Sequence, residues 1–196
     1  PSVPTELTAT LRPYQIEGYQ WIARLNSWGA GALLADDMGL GKTLQTIAFL
    51  LLKQAEGASL VVAPASVAPN WKTEIERFAP TLRVHILNYA ADRQQLISQA
   101  AAGDVVVTTY GILLSVQDAL TQKQWNVACL DEAHIIKNRG AKTSAAAMKI
   151  QAANRVMLTG TPVQNHLGEL WSLFQFVNPG LLGSYEHFSR KFIQPI

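Results

Sequence analysis

Short runs of apolar residues recur along the chain, and the segments between them have the residue spacing of helices. Several runs are apolar throughout and do not alternate with polar positions, which is typical of strands buried on both faces of a parallel sheet. This pattern predicts an α/β fold, a mostly parallel sheet with helices on both faces. The predicted strands are 32–35, 59–63, 83–87, 104–108, 127–130 and 155–158. The predicted helices are 13–27, 43–56, 68–79, 90–102, 110–120, 142–152 and 167–177.

Composition fits a globular domain and limits its setting. Of 196 residues, 48% are hydrophobic, and the formal net charge is +2. This excludes a disordered chain, whereas so weak a positive charge neither requires nor excludes a nucleic-acid partner. One cysteine, Cys129, excludes an internal disulfide framework and fits a reducing compartment. We expect an intracellular location, in the cytoplasm and nucleoid or in the nucleus. No apolar run reaches membrane-spanning length, so we expect no membrane partner. We expect the chain to be part of a longer protein.

A glycine-containing loop follows the first predicted strand and leads directly into an apolar helix. Gly39 and Gly41 permit the close backbone approach that wrapping a phosphate requires, and the helix start directs amides at the anion. Lys42 would reach the β- and γ-phosphates, and the hydroxyl of Thr43 would ligate Mg²⁺. Asp36 stands where the strict pattern has its first glycine, and a turn with a surface lysine is the alternative. The predicted nucleotide-binding residues of this loop are Asp37, Met38, Gly39, Leu40, Gly41, Lys42 and Thr43.

An acidic motif, Asp131-Glu132-Ala133-His134, follows the fifth predicted strand. A phosphate-loop enzyme needs a carboxylate at the tip of a neighbouring strand to hold its metal, and Asp131 is placed for this. Glu132 can orient and deprotonate the attacking water. The alternative is a helix N-terminus with favourable charges. The loop and the acidic motif each supply what the other lacks, and together they predict nucleoside triphosphate hydrolysis with Glu132 and Lys42 as catalytic residues.

The loop and the acidic motif resemble motifs I and II of the Swi/Snf-type ATPases, which are superfamily-two, helicase-like DNA translocases and include chromatin remodellers. Residues 11–18 resemble the Q motif of this family, and 158–165 resemble motif III. Segments 169–174 and 178–180 are similar to sequences particular to this family. The family also replaces the glycine at Asp36. The resemblance covers about residues 11–196 and implies a RecA-like fold of the P-loop NTPase class with a DEAH box.

The resemblance implies ATP and Mg²⁺ as cofactors, with Mg²⁺ held by Thr43 and Asp131. It implies that Gln15 contacts the adenine edge, since an amide can donate and accept at once. It also implies that Thr159 and Thr161 lie beside the γ-phosphate and couple its loss to movement between lobes. A surface glutamine and an ordinary turn are the respective alternatives.

The resemblance further implies a partner, double-stranded DNA. Five residues fall in segments that face the DNA backbone in the family, although Trp71 is equally compatible with packing under a helix. These residues are Pro64, Ser66, Trp71, Thr108 and Thr109. A run of basic side chains is either a partner-facing stripe or a solvated face. Its members are Lys137, Arg139, Lys142, Lys149 and Arg155.

The motor of this family has two RecA-like lobes, and residues 1–196 correspond to the N-terminal one. The second lobe of the same chain would bring arginine fingers, so the isolated first lobe should be nearly inactive. The remaining expected partner is a DNA-bound protein that the motor remodels. A strand-separating DEAH-type helicase, a nucleotide-switched scaffold and a small-molecule kinase are the alternative functions. Segment 169–171 argues against the first, and the intact motifs argue against the others.

Overall fold

A computed structural model of the chain describes residues 1–35, 41–160, 167–181 and 183–190. Its centre is a six-stranded sheet in the order β1-β6-β5-β2-β4-β3, and all neighbouring strands are parallel. The strands are β1 Ala32–Ala35, β2 Ser59–Ala63, β3 Arg83–Ile86, β4 Asp104–Thr109, β5 Gln124–Leu130 and β6 Gln151–Thr159. The predicted α/β fold with a parallel sheet is confirmed.

Helices cover both faces of this sheet. The described residues form α1 Pro13–Ser27, α2 Lys42–Lys53, α3 Ala68–Phe78, α4 Arg93–Gln99, α5 Gln117–Gln122, α6 Ala141–Met148, α7 Leu167–Val177 and α8 Tyr185–Phe188. One buried core joins the sheet to α1, α2 and α3, and a second joins it to α4, α5, α6 and α7. Successive strand residues point to opposite faces, so β2 contributes Val61 to the first core and Leu60 to the second. No helix in the described ranges is long and apolar enough to cross a bilayer.

The segments predicted as helices over 110–120 and 90–102 differ in structure from what the sequence pattern indicated. In place of a helix over 110–120, two 3₁₀ helices, Tyr110–Ile112 and Leu114–Val116, precede α5. The hydroxyl of Tyr110 donates to the main-chain oxygen of Asp131 at 2.7 Å, which holds the residues after β4 against the end of β5. The helix predicted over 90–102 begins later because Asp92 caps it, with its carboxylate accepting from the amide of Gln95.

The last strand is longer than predicted, since β6 begins at Gln151 and not at 155. The helix predicted over 142–152 accordingly ends at Met148. The apolar pattern missed the start of this strand because polar residues interrupt it. The side-chain amide of Asn154 donates to the main-chain oxygen of Asn126 on β5 at 3.0 Å. The side-chain amide of Asn154 is therefore satisfied within the sheet.

The parallel arrangement brings the carboxyl ends of all six strands to one edge. Because β6 lies between β1 and β5, the segments that follow these three strands meet there. This edge is where open α/β sheets bind their ligands.

Candidate functional site

Lys42 is the first residue of α2, the helix that follows β1 in the chain, and only 7% of the residue is exposed. Its ammonium donates to the main-chain oxygen of Thr159, the last residue of β6, at 2.9 Å. Gly41 precedes it with a φ of 110°, in the left-handed region that favours glycine. The helix start and the lysine charge therefore combine to make the end of β1 an anion-binding position.

Asp131 follows β5 and is likewise 7% exposed. Each carboxylate oxygen accepts one hydrogen bond, Oδ2 from Nε1 of Trp71 and Oδ1 from the amide of Glu132, both at 2.8 Å. Burial raises the pKa of Asp131, as does the neighbouring Glu132, while the Trp71 hydrogen bond and the Lys42 charge act against this. The result is a buried carboxylate in a fixed orientation.

Glu132 has left-handed backbone angles, with a φ of 48° and a ψ of 48°. Within the described residues, no other non-glycine residue has a positive φ, and such a conformation costs about 1–3 kcal/mol. Its half-buried carboxylate lies 3.4 Å from Nε2 of His134. A β-carbon added to Gly160 would lie 3.8 Å from Oε1 of Glu132 and 3.9 Å from Nζ of Lys42. The acid and the ammonium thus flank the same glycine at the end of β6.

Thr159 is the buried centre of this arrangement. Its main-chain oxygen accepts from Lys42, and its hydroxyl lies 3.2 Å from Nδ1 of His134. His134 therefore lies between the carboxylate of Glu132 and the end of β6. Lys42, which follows β1, and His134, which follows β5, thus both contact the last residue of β6.

Gln15 lies on α1 beside this site and is buried, with 8% of its surface exposed. Its Oε1 accepts from the amide of Arg12 at 2.8 Å and so caps the start of the helix. A β-carbon on Gly41 would collide with the side-chain nitrogen of Gln15. Gln15 is therefore no surface residue, and its amide group packs against the start of the loop–helix junction.

The donor set fits a magnesium ion. Thr43 is the second residue of α2, and its hydroxyl oxygen and the carboxylate of Asp131 are the hard oxygen ligands that Mg²⁺ prefers. Each Asp131 oxygen accepts only one hydrogen bond among the described residues, so further lone pairs remain for an ion. Five predicted nucleotide contacts, Asp37, Met38, Gly39, Leu40 and Thr161, lie outside the described residues.

Two aromatic residues of this site were not assigned to it by the sequence. Trp71 is fully buried and hydrogen-bonded to Asp131, so packing under a helix describes it better than DNA contact. Tyr110 had no predicted role, and its position directly after a strand was the only signal available. His134, the last residue of the acidic motif, had no predicted role and lies between Glu132 and Thr159.

The residues predicted to face DNA differ in their exposure. Ser66 is exposed at the end of β2, whereas Thr108 and Thr109 are buried in β4, which extends to Thr109. The hydroxyl of Thr109 accepts from the side-chain amide of Asn88 at 2.9 Å. Neither hydroxyl is accessible to a phosphate oxygen in this structure.

Arg155 does not belong with the other basic residues in a surface stripe. Its guanidinium donates to the main-chain oxygen of Phe176 at 3.1 Å and lies 5.4 Å from the centre of that ring. Arg139, Lys142 and Lys149 are exposed.

Comparisons with known proteins agree with this geometry. Residues 14–196 match the model of the SNF2-related domain. The solved Sulfolobus solfataricus SWI2/SNF2 ATPase core in complex with double-stranded DNA superimposes with a TM-score of 0.86 and 43% identity, over 96% of this chain and 40% of that one. The TATA-binding protein-associated factor mot1 of Schizosaccharomyces pombe is 40% identical over 100% of this chain. The ISWI chromatin-remodeling complex ATPase ISW1 of Saccharomyces cerevisiae is 38% identical over 96% of it.

This chain spans only 11% of the mot1 protein and 17% of ISW1. The RecA-like fold implied by the sequence motifs is confirmed by the Sulfolobus superposition. The family match covers nearly the whole chain and includes the described strand ends that carry Lys42, Asp131, Glu132 and Thr159. The chain belongs to the SNF2-related domain family.

Proposed function

We propose that this chain is the ATP-binding lobe of an ATP-dependent, double-stranded DNA translocase of the Swi/Snf type. The observation that carries the proposal is the meeting of Lys42, Asp131 and Glu132 around Thr159 at one sheet edge. The similar Sulfolobus ATPase core was solved in complex with double-stranded DNA, and ISW1 is an ATPase of a chromatin-remodeling complex. A second RecA-like lobe of the same protein would complete the site.

The proposed roles follow from the chemistry of each group. Lys42 binds the β- and γ-phosphates, and Thr43 and Asp131 hold Mg²⁺, which neutralises phosphate charge when bound. Glu132 accepts a proton from the attacking water. Thr159 accepts a hydrogen bond from Lys42 and lies close to His134. Departure of the γ-phosphate from Lys42 would therefore change the contacts of Thr159. We also propose that Thr161 and residues 37–40 contact the nucleotide.

The proposed track is duplex DNA, bound across both lobes, and the proposed cargo is a DNA-bound protein. Exposed Ser66, at the end of β2, is the described residue best placed to bond a phosphate oxygen of the backbone. The mot1 relative is named for its association with the TATA-binding protein, which supports a DNA-bound target without specifying the one for this chain.

Nucleotide preference depends on Gln15 in this proposal. Gln15→Ala in the full-length protein should raise the Michaelis constant for ATP and narrow any preference for ATP over GTP. Gln15→Glu is the sharper variant, because a carboxylate oxygen can still accept from Arg12 while the amide donor is lost. We expect it to narrow the preference as well. An unchanged preference for ATP over GTP in titrations of both nucleotides would contradict the adenine contact and leave Gln15 only its role as the cap of α1.

The ATPase rate of the full-length protein with different nucleic acids tests the proposal. We expect strong stimulation by duplex DNA, weaker stimulation by single-stranded DNA and little by RNA. Duplex DNA should stimulate the ATPase rate, and a displacement assay should show no separation of its strands. Equal stimulation by single strands together with strand displacement would favour a DEAH-type helicase, and no ATPase under any condition would favour a nucleotide-switched scaffold.

A further inference from the structure

Two buried aromatic side chains reach Asp131 from the segments that follow β2 and β4. Trp71 lies on α3, and its Nε1 donates to Oδ2 of Asp131 at 2.8 Å. Tyr110 is the first residue after β4, and its hydroxyl donates to the main-chain oxygen of Asp131 at 2.7 Å. Both side chains are almost completely buried, so water cannot readily replace either donor.

The main chain strengthens this connection. The amide of Asp131 donates to the main-chain oxygen of Val62 on β2 at 2.8 Å, so the strand pairing continues to the acidic residue itself. Asp131 is therefore held from β2 through its amide, from α3 through its carboxylate and from the end of β4 through its carbonyl.

We propose that Trp71 and Tyr110 are positioning residues for the metal-binding carboxylate of Asp131. This inference rests on the proposed function, in which Asp131 holds Mg²⁺. The Trp71 hydrogen bond fixes which Asp131 lone pairs remain available to the ion, and the Tyr110 hydrogen bond fixes the backbone from which the carboxylate extends. Partners of this kind around a metal ligand typically change metal affinity by about 10–100-fold when they are removed.

The arrangement also joins the magnesium position to two strand ends. Exposed Ser66, which follows β2, precedes buried Trp71 by five positions in the chain. Tyr110 directly follows Thr109, the last residue of β4. A movement of α3, or of the residues after β4, would displace a hydrogen-bond donor of Asp131.

Calorimetry of ADP binding to the full-length protein, with and without Mg²⁺, tests the inference. Trp71→Phe keeps an aromatic ring but removes the donor, and should weaken Mg²⁺-dependent ADP binding by about 10-fold while leaving metal-free ADP binding unchanged. Trp125→Phe is the matched control, because Trp125 is equally buried but donates to the main-chain oxygen of Leu120. It should change neither affinity.

Tyr110→Phe gives an independent test that removes only a hydroxyl, and it decides the matter if Trp71→Phe fails to fold. We expect a loss of about 3- to 10-fold, again confined to the Mg²⁺-dependent affinity. Equal losses with and without Mg²⁺, or affinities matching those of Trp125→Phe, would overturn the inference. Asp131→Asn separates the two proposals. If Asp131→Asn leaves Mg²⁺-dependent ADP binding intact, the proposed function fails. If Asp131→Asn weakens this binding but Trp71→Phe and Tyr110→Phe do not, only the positioning role fails.

Discussion

Glu132→Gln in the full-length protein should leave ATP binding nearly unchanged and lower the turnover number by about 10²-fold or more. The amide is nearly the same size as the carboxylate but cannot accept the proton of the attacking water. The left-handed backbone at Glu132 directs this group to the space beside Gly160 and Lys42. Lys42→Ala should behave differently and weaken ATP binding itself, because it removes the cation that faces the phosphates.

Glu56→Gln provides the control for this experiment. Glu56 is exposed beyond the carboxyl end of α2 and pairs with Lys53, whereas Lys42 begins that helix. The same change of carboxylate to amide there should leave both binding and turnover unaltered. Near-normal turnover of Glu132→Gln in a steady-state assay would contradict the assignment of Glu132 as the general base.

The parts of the fold that sequence predicted well are those with an uninterrupted apolar signal. The strand at 59–63 is buried along its whole length and was predicted with its observed bounds. The start of β6 was missed because Asn154 satisfies its polar groups against Asn126, a pairing between residues 28 positions apart. The segment after β4 was predicted as one helix because local spacing carries no information about the bond from Tyr110 to Asp131.

The same distinction applies to the site. Lys42, Asp131 and Glu132 could be predicted because each belongs to a short motif whose residues directly follow a strand. The hydrogen bond from Trp71 to Asp131 could not be predicted, because the two residues are 60 positions apart along the chain. The bond between Lys42 and Thr159 spans 117 positions and depends on β6 lying between β1 and β5. Strand order creates these contacts, and no local pattern records it.

Residues 1–196 alone should fold, bind Mg²⁺-ADP weakly and hydrolyse ATP negligibly. Both faces of the sheet are closed by helices over buried cores, which is what an independently folding domain requires. At the proposed catalytic edge, however, the side chains of Glu132 and His134 are exposed by 35% and 30%. Without a second lobe the γ-phosphate would be solvated, and an absent arginine finger alone lowers the rate by roughly 10³–10⁵-fold. Urea unfolding should give one cooperative transition and confirm that inactivity is not misfolding.

The central claim, that this chain is one lobe of a two-lobe duplex-DNA motor, is tested most directly by a paired ATPase measurement. The full-length protein and residues 1–196 are assayed side by side, each with and without duplex DNA. We predict strong DNA stimulation of the full-length protein, and neither measurable basal turnover nor DNA stimulation for residues 1–196. Robust DNA-stimulated turnover by residues 1–196 alone would contradict the two-lobe mechanism.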